Sequence, residues 1–218
     1  MPIWNKIIFQ NRNSPLIEHL NYFHDHTLII ILLTSVLTIN LSIKFIFRIN
    51  FSRLTSEFHE TERFWTLTPA LILIFIAIPS LKTLYLIEET LNPLIRIKTI
   101  GFQWFWAYEY SSLNGKKILS LLRKSNKINL ISTTNSLLIP SITPTRILIS
   151  SKDVIHSWTI PSLGVKSDAT PGRINQITLN IKRPGILIGQ CSEICGSGHR
   201  FIPIYLETPN INRFLKLF

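Results

Sequence analysis

The chain has 218 residues, of which 46% are hydrophobic and 16% are charged, and 23 basic against 12 acidic residues give a formal net charge of +11. Low charge with a positive mean hydropathy of +0.26 excludes a disordered chain and argues against an ordinary soluble enzyme. The two cysteines exclude a disulfide-dense scaffold, and the single methionine is Met1, so no internal methionine can supply a thioether to a metal.

The positive charge raises the question of nucleic-acid binding. Basic nucleic-acid-binding domains concentrate Lys and Arg in one patch or stripe, whereas here the basic residues are scattered along the chain. We therefore interpret the charge as membrane-flanking residues and a solvated surface, and we expect no nucleic-acid partner.

Two long apolar runs predict transmembrane helices, at about 27–47 and 64–87. Each has about 20 residues, which is the length that spans a hydrocarbon core of ~30 Å. The second run contains Pro69 and Pro79, which spanning helices tolerate where neighbouring groups satisfy the freed carbonyl. Neither run carries a polar stripe, and this argues against a buried core hairpin.

The charges around these helices predict the orientation of the chain. The connecting loop carries Arg48, Arg53 and Arg63, although acidic residues share the loop and make the asymmetry modest. Loops rich in Lys and Arg stay on the side of synthesis. We therefore expect both termini on the opposite side of the membrane.

Near residue 91 the sequence changes to short runs of β-branched residues broken by Pro, Gly, Asn and Ser. Examples are residues 146–150, 174–180 and 185–189. Short strands with frequent turn signals are typical of an all-β sandwich or barrel. We predict a membrane-anchored all-β protein, with an N-terminal segment and helical hairpin in residues 1–91 and a β-sandwich domain in residues 92–218.

The run 101–110, GFQWFWAYEY, is predicted to be one strand. Its aromatic residues alternate with the others, so a strand would place them on one face: Phe102, Trp104, Trp106, Tyr108 and Tyr110. This face either packs on the core or forms a surface patch for a partner or an electron path.

Two cysteines and a histidine lie at intervals of four residues, at Cys191, Cys195 and His199. Thiolates and imidazoles are ligands that copper and zinc prefer, and His156 is a candidate fourth ligand from another strand. Three interpretations are open: a disulfide between the cysteines, a Cys2His2 zinc site, and a copper site. Two thiolates on one loop favour two coppers bridged by both sulfurs over a mononuclear blue-copper site.

Nearly the whole chain resembles the cytochrome c oxidase subunit 2 family, and its size and membrane hairpin resemble the mitochondrially encoded form. The resemblance is carried by these segments: Phe23–Thr27, Trp65–Pro69, Ile78–Leu81, Gly101–Tyr110, His156–Trp158, Pro171–Arg173 and Gly189–Gly198. It implies a cupredoxin-like domain with a binuclear copper A centre.

The resemblance also implies roles for individual residues. Cys191 and Cys195 would bridge the two coppers, with His156 and His199 as terminal ligands. Glu193 would give its backbone carbonyl to copper and its side chain to a magnesium ion shared with the large subunit.

Further roles and partners follow from the same resemblance. Trp104 would receive electrons from cytochrome c, and Glu62 would lie near the mouth of a proton pathway. The chain would pass electrons to haem in the large subunit, which with the other subunits couples oxygen reduction to proton pumping. We expect a multi-pass protein in the lipid bilayer of the mitochondrial inner membrane, with both termini and the copper domain in the intermembrane space.

Ile202 departs from the family pattern, because it stands where the family has an axial methionine. Isoleucine cannot coordinate copper, so we expect a perturbed potential or weaker copper retention. A second hypothesis is that codon ATA was read as Ile instead of Met, and AGA at Arg200 as Arg instead of Ser. The codons at 200 and 202 would decide between the two.

Charge is a second departure. The family docks basic cytochrome c with acidic side chains, whereas residues 115–127 carry five basic residues and no acid. Beyond residue 91 the chain has five acidic residues: Glu109, Asp153, Asp168, Glu193 and Glu207. We therefore expect weak electrostatic steering of cytochrome c.

Overall fold

The computed structural model describes residues 9–47, 57–89, 92–111, 115–123 and 130–217. The chain forms two compact units, one of residues His19–Ile87 and the other of Met1–Glu18 with Glu88–Phe218. Some residues discussed above lie outside the described ranges: Arg48, Arg53, Leu91, Lys124 and Lys127.

The helical unit is built from α1 (Pro15–Ile46) and α2 (His59–Glu88). Both helices are long and apolar enough to cross a membrane, with a mean hydropathy of 2.2 in their most apolar windows. Each helix is longer than the apolar run that predicts it. The flanking turns, which include Glu18 and His24 in α1 and Glu60 in α2, are polar but continue the same backbone hydrogen bonding.

The segment just before α1 belongs to the β unit. The Asn13 side chain donates to the Arg183 carbonyl at 3.1 Å and accepts from the Arg183 backbone N–H at 2.8 Å. The Ser14 hydroxyl donates to the Leu163 carbonyl at 2.7 Å and accepts from the Ile17 N–H at 3.2 Å. A serine in this position caps a helix. The Ser14 hydroxyl therefore caps α1 and also bonds the start of this helix to the rest of the β unit.

The β unit contains ten described strands and a short C-terminal helix, α3 (Ile211–Leu217), which the sequence did not predict. The strands are β1 (Ile95–Phe102), β2 (Phe105–Tyr110), β3 (Lys116–Ser120), β4 (Leu137–Leu138), β5 (Thr145–Ser151), β6 (His156–Ile160), β7 (Val165–Ala169), β8 (Asn175–Leu179), β9 (Gly185–Gln190) and β10 (Pro203–Thr208). They pair in the orders β3-β2-β1-β5-β8, β4-β10-β9 and β6-β7.

The core lies on the inward faces of these sheets. In β1 and β5, which are parallel neighbours, alternate residues are buried, and Ile97 is paired with Ile147. Period-two burial is what a strand with one solvated face requires. The helical hairpin followed by a β-sandwich is therefore confirmed as the fold, and the three predicted strands correspond closely to β5, β8 and β9.

The prediction of one strand over residues 101–110 is wrong. The segment is a hairpin, in which Gln103 and Trp104 form a tight turn and Phe102 pairs with Phe105. Neither turn residue is a Gly, Pro, Asn or Asp, so the usual turn signal is absent. Three of the aromatic residues are fully buried in the core, namely Trp106, Tyr108 and Tyr110, whereas Trp104 is 40% exposed.

Gly189 allows β9 to lie unusually close to β6. A Cβ at this position would be 1.9 Å from the Thr159 backbone oxygen. Only a residue without a side chain fits such an approach. This contact brings the end of β9 next to the strand that carries His156. The segment 191–199, called the cysteine segment below, begins at this end of β9.

Candidate metal centre

The four predicted ligands come from three neighbouring places in the β unit. His156 is the first residue of β6, Cys191 follows β9 directly, and His199 begins a single 3-10 turn before β10. Between the cysteine and the histidine the chain turns at Gly196, whose φ of +117° is a left-handed conformation that favours glycine.

Backbone hydrogen bonds hold the cysteine segment in place. The Cys191 N–H donates to the Ile202 carbonyl and the Ser192 N–H donates to the Ser157 carbonyl, each at 3.1 Å. The segment is therefore tied on one side to β6 and on the other to the residue before β10.

The donor atoms of the four predicted ligands form a compact group, called the donor cluster below. The two sulfurs are 4.0 Å apart, Cys191 Sγ is 3.9 Å from His156 Nδ1, and Cys195 Sγ is 3.5 Å from His199 Nδ1. Both cysteines are buried and free, so the structure contains no disulfide between them. The Glu193 carbonyl oxygen is 3.4 Å from Cys191 Sγ and thus lies beside this cluster.

The distances show how closely the donors are grouped. Among the described residues, the donor atoms of His156, Cys191 and Cys195 all lie within 4.8 Å of one another, and His199 is not part of that group. Thiolates and imidazoles grouped in this way could hold copper or zinc.

The surroundings of the two thiols shift their pKa values in opposite directions. Burial opposes ionisation of Cys191, but contacts with the His156 ring and the Ser157 and Glu193 backbone outweigh it and lower the thiol's pKa below its ordinary value. Burial and the neighbouring Cys191 charge both raise the pKa of Cys195. Without a metal, Cys191 therefore ionises more readily than Cys195. Binding of a metal by both thiolates would also require Cys195 to lose its proton.

Two residues that the sequence did not single out complete the surroundings. Asp153 accepts from His156 Nε2 at 2.9 Å, and the Gln103 side chain donates to the Cys195 carbonyl at 2.9 Å. Burial opposes ionisation of Asp153, yet hydrogen bonds from His156 and from backbone N–H groups lower its pKa. Burial disfavours His156 protonation, but Cys191 and Asp153 outweigh it and raise its pKa.

Trp104 lies against the cysteine segment. Its Nε1 donates to the Cys195 carbonyl at 3.3 Å. A Cβ on Gly198 would be 2.4 Å from the indole ring, so the ring lies directly over this glycine. The indole therefore contacts the site on one side and is partly exposed to solvent on the other.

The two remaining predicted residues, Ile202 and Glu62, lie in different units of the chain. Ile202 is 1% exposed and is bonded through its carbonyl to the Cys191 N–H. Glu62 lies in the first turn of α2, in the other unit, 3.9 Å from the His59 Nδ1. The structure thus groups Ile202 and Trp104 with the cysteine and histidine residues, and it does not place Glu62 among them.

Comparison with known proteins identifies the family of this chain. The family profile "Cytochrome C oxidase subunit II, periplasmic domain" matches residues 95–209, and the profile of the transmembrane domain of the same subunit matches residues 2–83. The chain belongs to the cytochrome c oxidase subunit II family. The resemblance noted from the sequence is therefore confirmed.

Curated family members match over nearly their whole length. Cytochrome c oxidase subunit 2 of Yponomeuta malinellus is 47% identical over 99% of this chain and 97% of its own, and that of Acheta domesticus is 46% identical over the same shares. The periplasmic domain of subunit II of Bradyrhizobium japonicum cytochrome oxidase is a solved structure with 32% identity and a TM-score of 0.58, covering 59% of this chain and 94% of its own.

Proposed function

We propose that this chain is the electron-transfer subunit of its oxidase, which accepts electrons from cytochrome c at a binuclear copper A centre and passes them to haem in the large subunit. The observation that carries the proposal is the donor cluster, in which the sulfurs of Cys191 and Cys195 are adjacent and each lies close to a histidine nitrogen. Oxygen reduction and proton pumping belong to the whole complex.

The donor set suits copper. Thiolate and imidazole are ligands that copper binds strongly, and Cys191, Cys195, His156 and His199 would hold the ions with the Glu193 carbonyl as a further oxygen donor. A copper pair held by these residues would supply a carrier for one electron at a time.

The protein contributes a mostly buried environment, in which His199 alone of the four ligands is partly exposed. His156 is fully buried, and Cys191 and Cys195 are 7% and 3% exposed. Strand β6 and the hydrogen-bonded cysteine segment fix these side chains from two directions. Such a surround limits rearrangement of ligands and solvent, which favours fast electron transfer at a small driving force.

We assign Trp104 as the residue that receives electrons. It is the exposed aromatic side chain that also hydrogen-bonds to the cysteine segment. The acidic surface available for docking is small, because Glu109 lies between Lys98 at 3.4 Å and Lys117 at 3.8 Å. We therefore expect binding of cytochrome c to depend on contacts around the indole more than on long-range charge.

We expect Gly198→Ala to slow electron transfer from cytochrome c about 10- to 100-fold, because small displacements of a positioned group cost this much. The added methyl group would push the indole outward, while the φ of −88° at Gly198 is accessible to alanine. Stopped-flow reduction of the copper centre in the assembled oxidase measures the rate. The exposed neighbour Ser197→Ala is the control, and equal rates for both variants would contradict the role of Trp104.

Two further roles stay proposals with narrower support. Glu193 lies between the two cysteines in the sequence, and we propose its carboxylate as the ligand of a magnesium ion shared with the large subunit. Glu62 is exposed at the start of α2, and we propose that it lies near the mouth of a proton pathway.

We propose the mitochondrial inner membrane as the location, with both termini and the copper domain in the intermembrane space. The hydrogen bonds between Asn13 and Arg183 support a common side for the N-terminal segment and the β domain. The helices would contact lipid, the large subunit and other oxidase subunits.

The spectrum of the copper-loaded full chain tests the proposal. We expect two coppers per chain and an EPR signal from one unpaired electron shared by two equivalent copper nuclei. A spectrum of one isolated copper, or preferential binding of a single zinc ion, would overturn it.

A further inference from the structure

The Asp153 carboxylate lies beside the donor cluster and connects His156 to the turn that carries Trp104. Asp153 lies in the bend between β5 and β6. Its Oδ1 accepts from His156 Nε2 at 2.9 Å and from the Val154 N–H at 2.6 Å, and its Oδ2 accepts from the Gln103 N–H at 2.6 Å. Both oxygens therefore have fixed donors.

The contact with Oδ1 sets the state of the His156 ring. An ionised carboxylate only accepts hydrogen bonds, so Nε2 carries a proton, and in the neutral ring it is the lone pair of Nδ1 that faces Cys191 Sγ. The ring is also confined from behind, because a Cβ on Gly101 would come within 2.8 Å of its Cδ2 atom. Orientation and tautomer are thus both fixed before any metal binds.

The contact with Oδ2 holds the turn that carries Trp104. Gln103, whose backbone N–H bonds to Asp153, donates through its side chain to the Cys195 carbonyl, and Trp104 Nε1 donates to the same oxygen. A continuous path of hydrogen bonds therefore runs from His156 through Asp153 and the turn to Cys195.

We propose that Asp153 is a positioning residue with two separable effects: it selects the tautomer of His156, and it locks the Gln103–Trp104 turn to the cysteine segment. The relevance to copper rests on the function proposed above. Carboxylates that accept from a ligating imidazole make it a better ligand, and their loss typically weakens metal binding about 10- to 100-fold.

The test uses the metal-free full chain in detergent micelles with 15N-labelled histidine. The ring nitrogen shifts of His156, assigned by their loss in His156→Gln, report the tautomer, and hydrogen exchange followed by mass spectrometry reports the protection of the Gln103 amide. We expect Asp153→Ala to give mixed tautomers and exchange at least about tenfold faster, with copper affinity reduced about 10- to 100-fold.

Asp153→Asn separates the two effects. Its amide oxygen still accepts from His156, so the tautomer is kept, whereas its NH2 group faces the Gln103 N–H and exchange becomes faster. Asp168→Ala removes an equally charged, exposed side chain on β7 and should change neither readout.

The proposal is overturned if Asp153→Ala keeps both the tautomer and the protection, or if Asp168→Ala matches it. Should Asp153→Ala not fold, unchanged Gln103 exchange in Asp153→Asn overturns it alone. Tautomer and exchange are read without metal, so a missing binuclear spectrum in the unsubstituted chain would refute the copper function without altering these two results.

Discussion

Cys195→Ser is expected to abolish the binuclear copper spectrum while the β domain stays folded. The Cys195 Sγ belongs to the donor cluster and lies 4.0 Å from Cys191 Sγ and 3.5 Å from His199 Nδ1. Serine is nearly the same size, but its hydroxyl is a hard, neutral donor that copper binds poorly compared with a thiolate. We expect copper affinity to fall by more than the 10- to 100-fold typical of losing an outer partner.

EPR and copper titration of the purified chain measure this loss, with circular dichroism as the check on folding. Ser192→Ala is the matched control, because Ser192 lies in the same segment and its exposed hydroxyl contacts the Gln190 carbonyl instead of a donor atom. A shared-electron spectrum that survives in Cys195→Ser would contradict the assignment of this sulfur as a bridge.

Ile202→Met is expected to strengthen copper retention and shift the reduction potential of the centre. Ile202 is buried, and its carbonyl accepts from the Cys191 N–H, so the residue lies next to the donor cluster. Isoleucine offers copper no donor atom, whereas a methionine thioether is a weak axial ligand that tunes the potential of copper sites. Exchange of these two residues nearly conserves volume, so the cost in stability should stay below about 1.5 kcal/mol.

Redox titration and the rate of copper loss to a chelator measure the effect. Ile204→Met is the control, since Ile204 is equally buried in β10. If both variants leave the potential and copper retention unchanged, position 202 is not axial. The same measurement bears on the codon hypothesis, because it gives the properties of the centre with the alternative residue in place.

Hydropathy alone predicted both helices but not where they end. The apolar runs mark the stretch suited to a bilayer, whereas α1 begins at Pro15, where Ser14 caps it. The same hydroxyl also donates to the Leu163 carbonyl across the β unit, a contact that no local pattern contains. The predicted domain boundary at residue 91 lies outside the described residues and stays a prediction.

The hairpin in residues 101–110 shows a limit of period-two patterns. Alternation continues on both sides of the Gln103–Trp104 turn, so the sequence is equally suited to one long strand. The contrast between exposed Trp104 and buried Trp106 appears only in the folded unit, where one residue covers the cysteine segment and the other fills the core.

The candidate ligands were predictable because two cysteines and a histidine at intervals of four residues can converge on a metal from one loop. The outer partners were not, although Asp153 stands three residues before His156 in the sequence. An acidic residue near a histidine is common, and its role depends on where its second oxygen points, which here is toward the Gln103 N–H in the turn between β1 and β2.

The bonds between Asn13 and Arg183 have a consequence for biogenesis. These residues are 170 positions apart, and both membrane-spanning helices lie in the loop that they close. Asn13 therefore finds its partner only after residue 183 has been made. If both helices span the membrane, Asn13 and Arg183 lie on the same side only when both are inserted, so a chain with an uninserted second helix would lack these bonds.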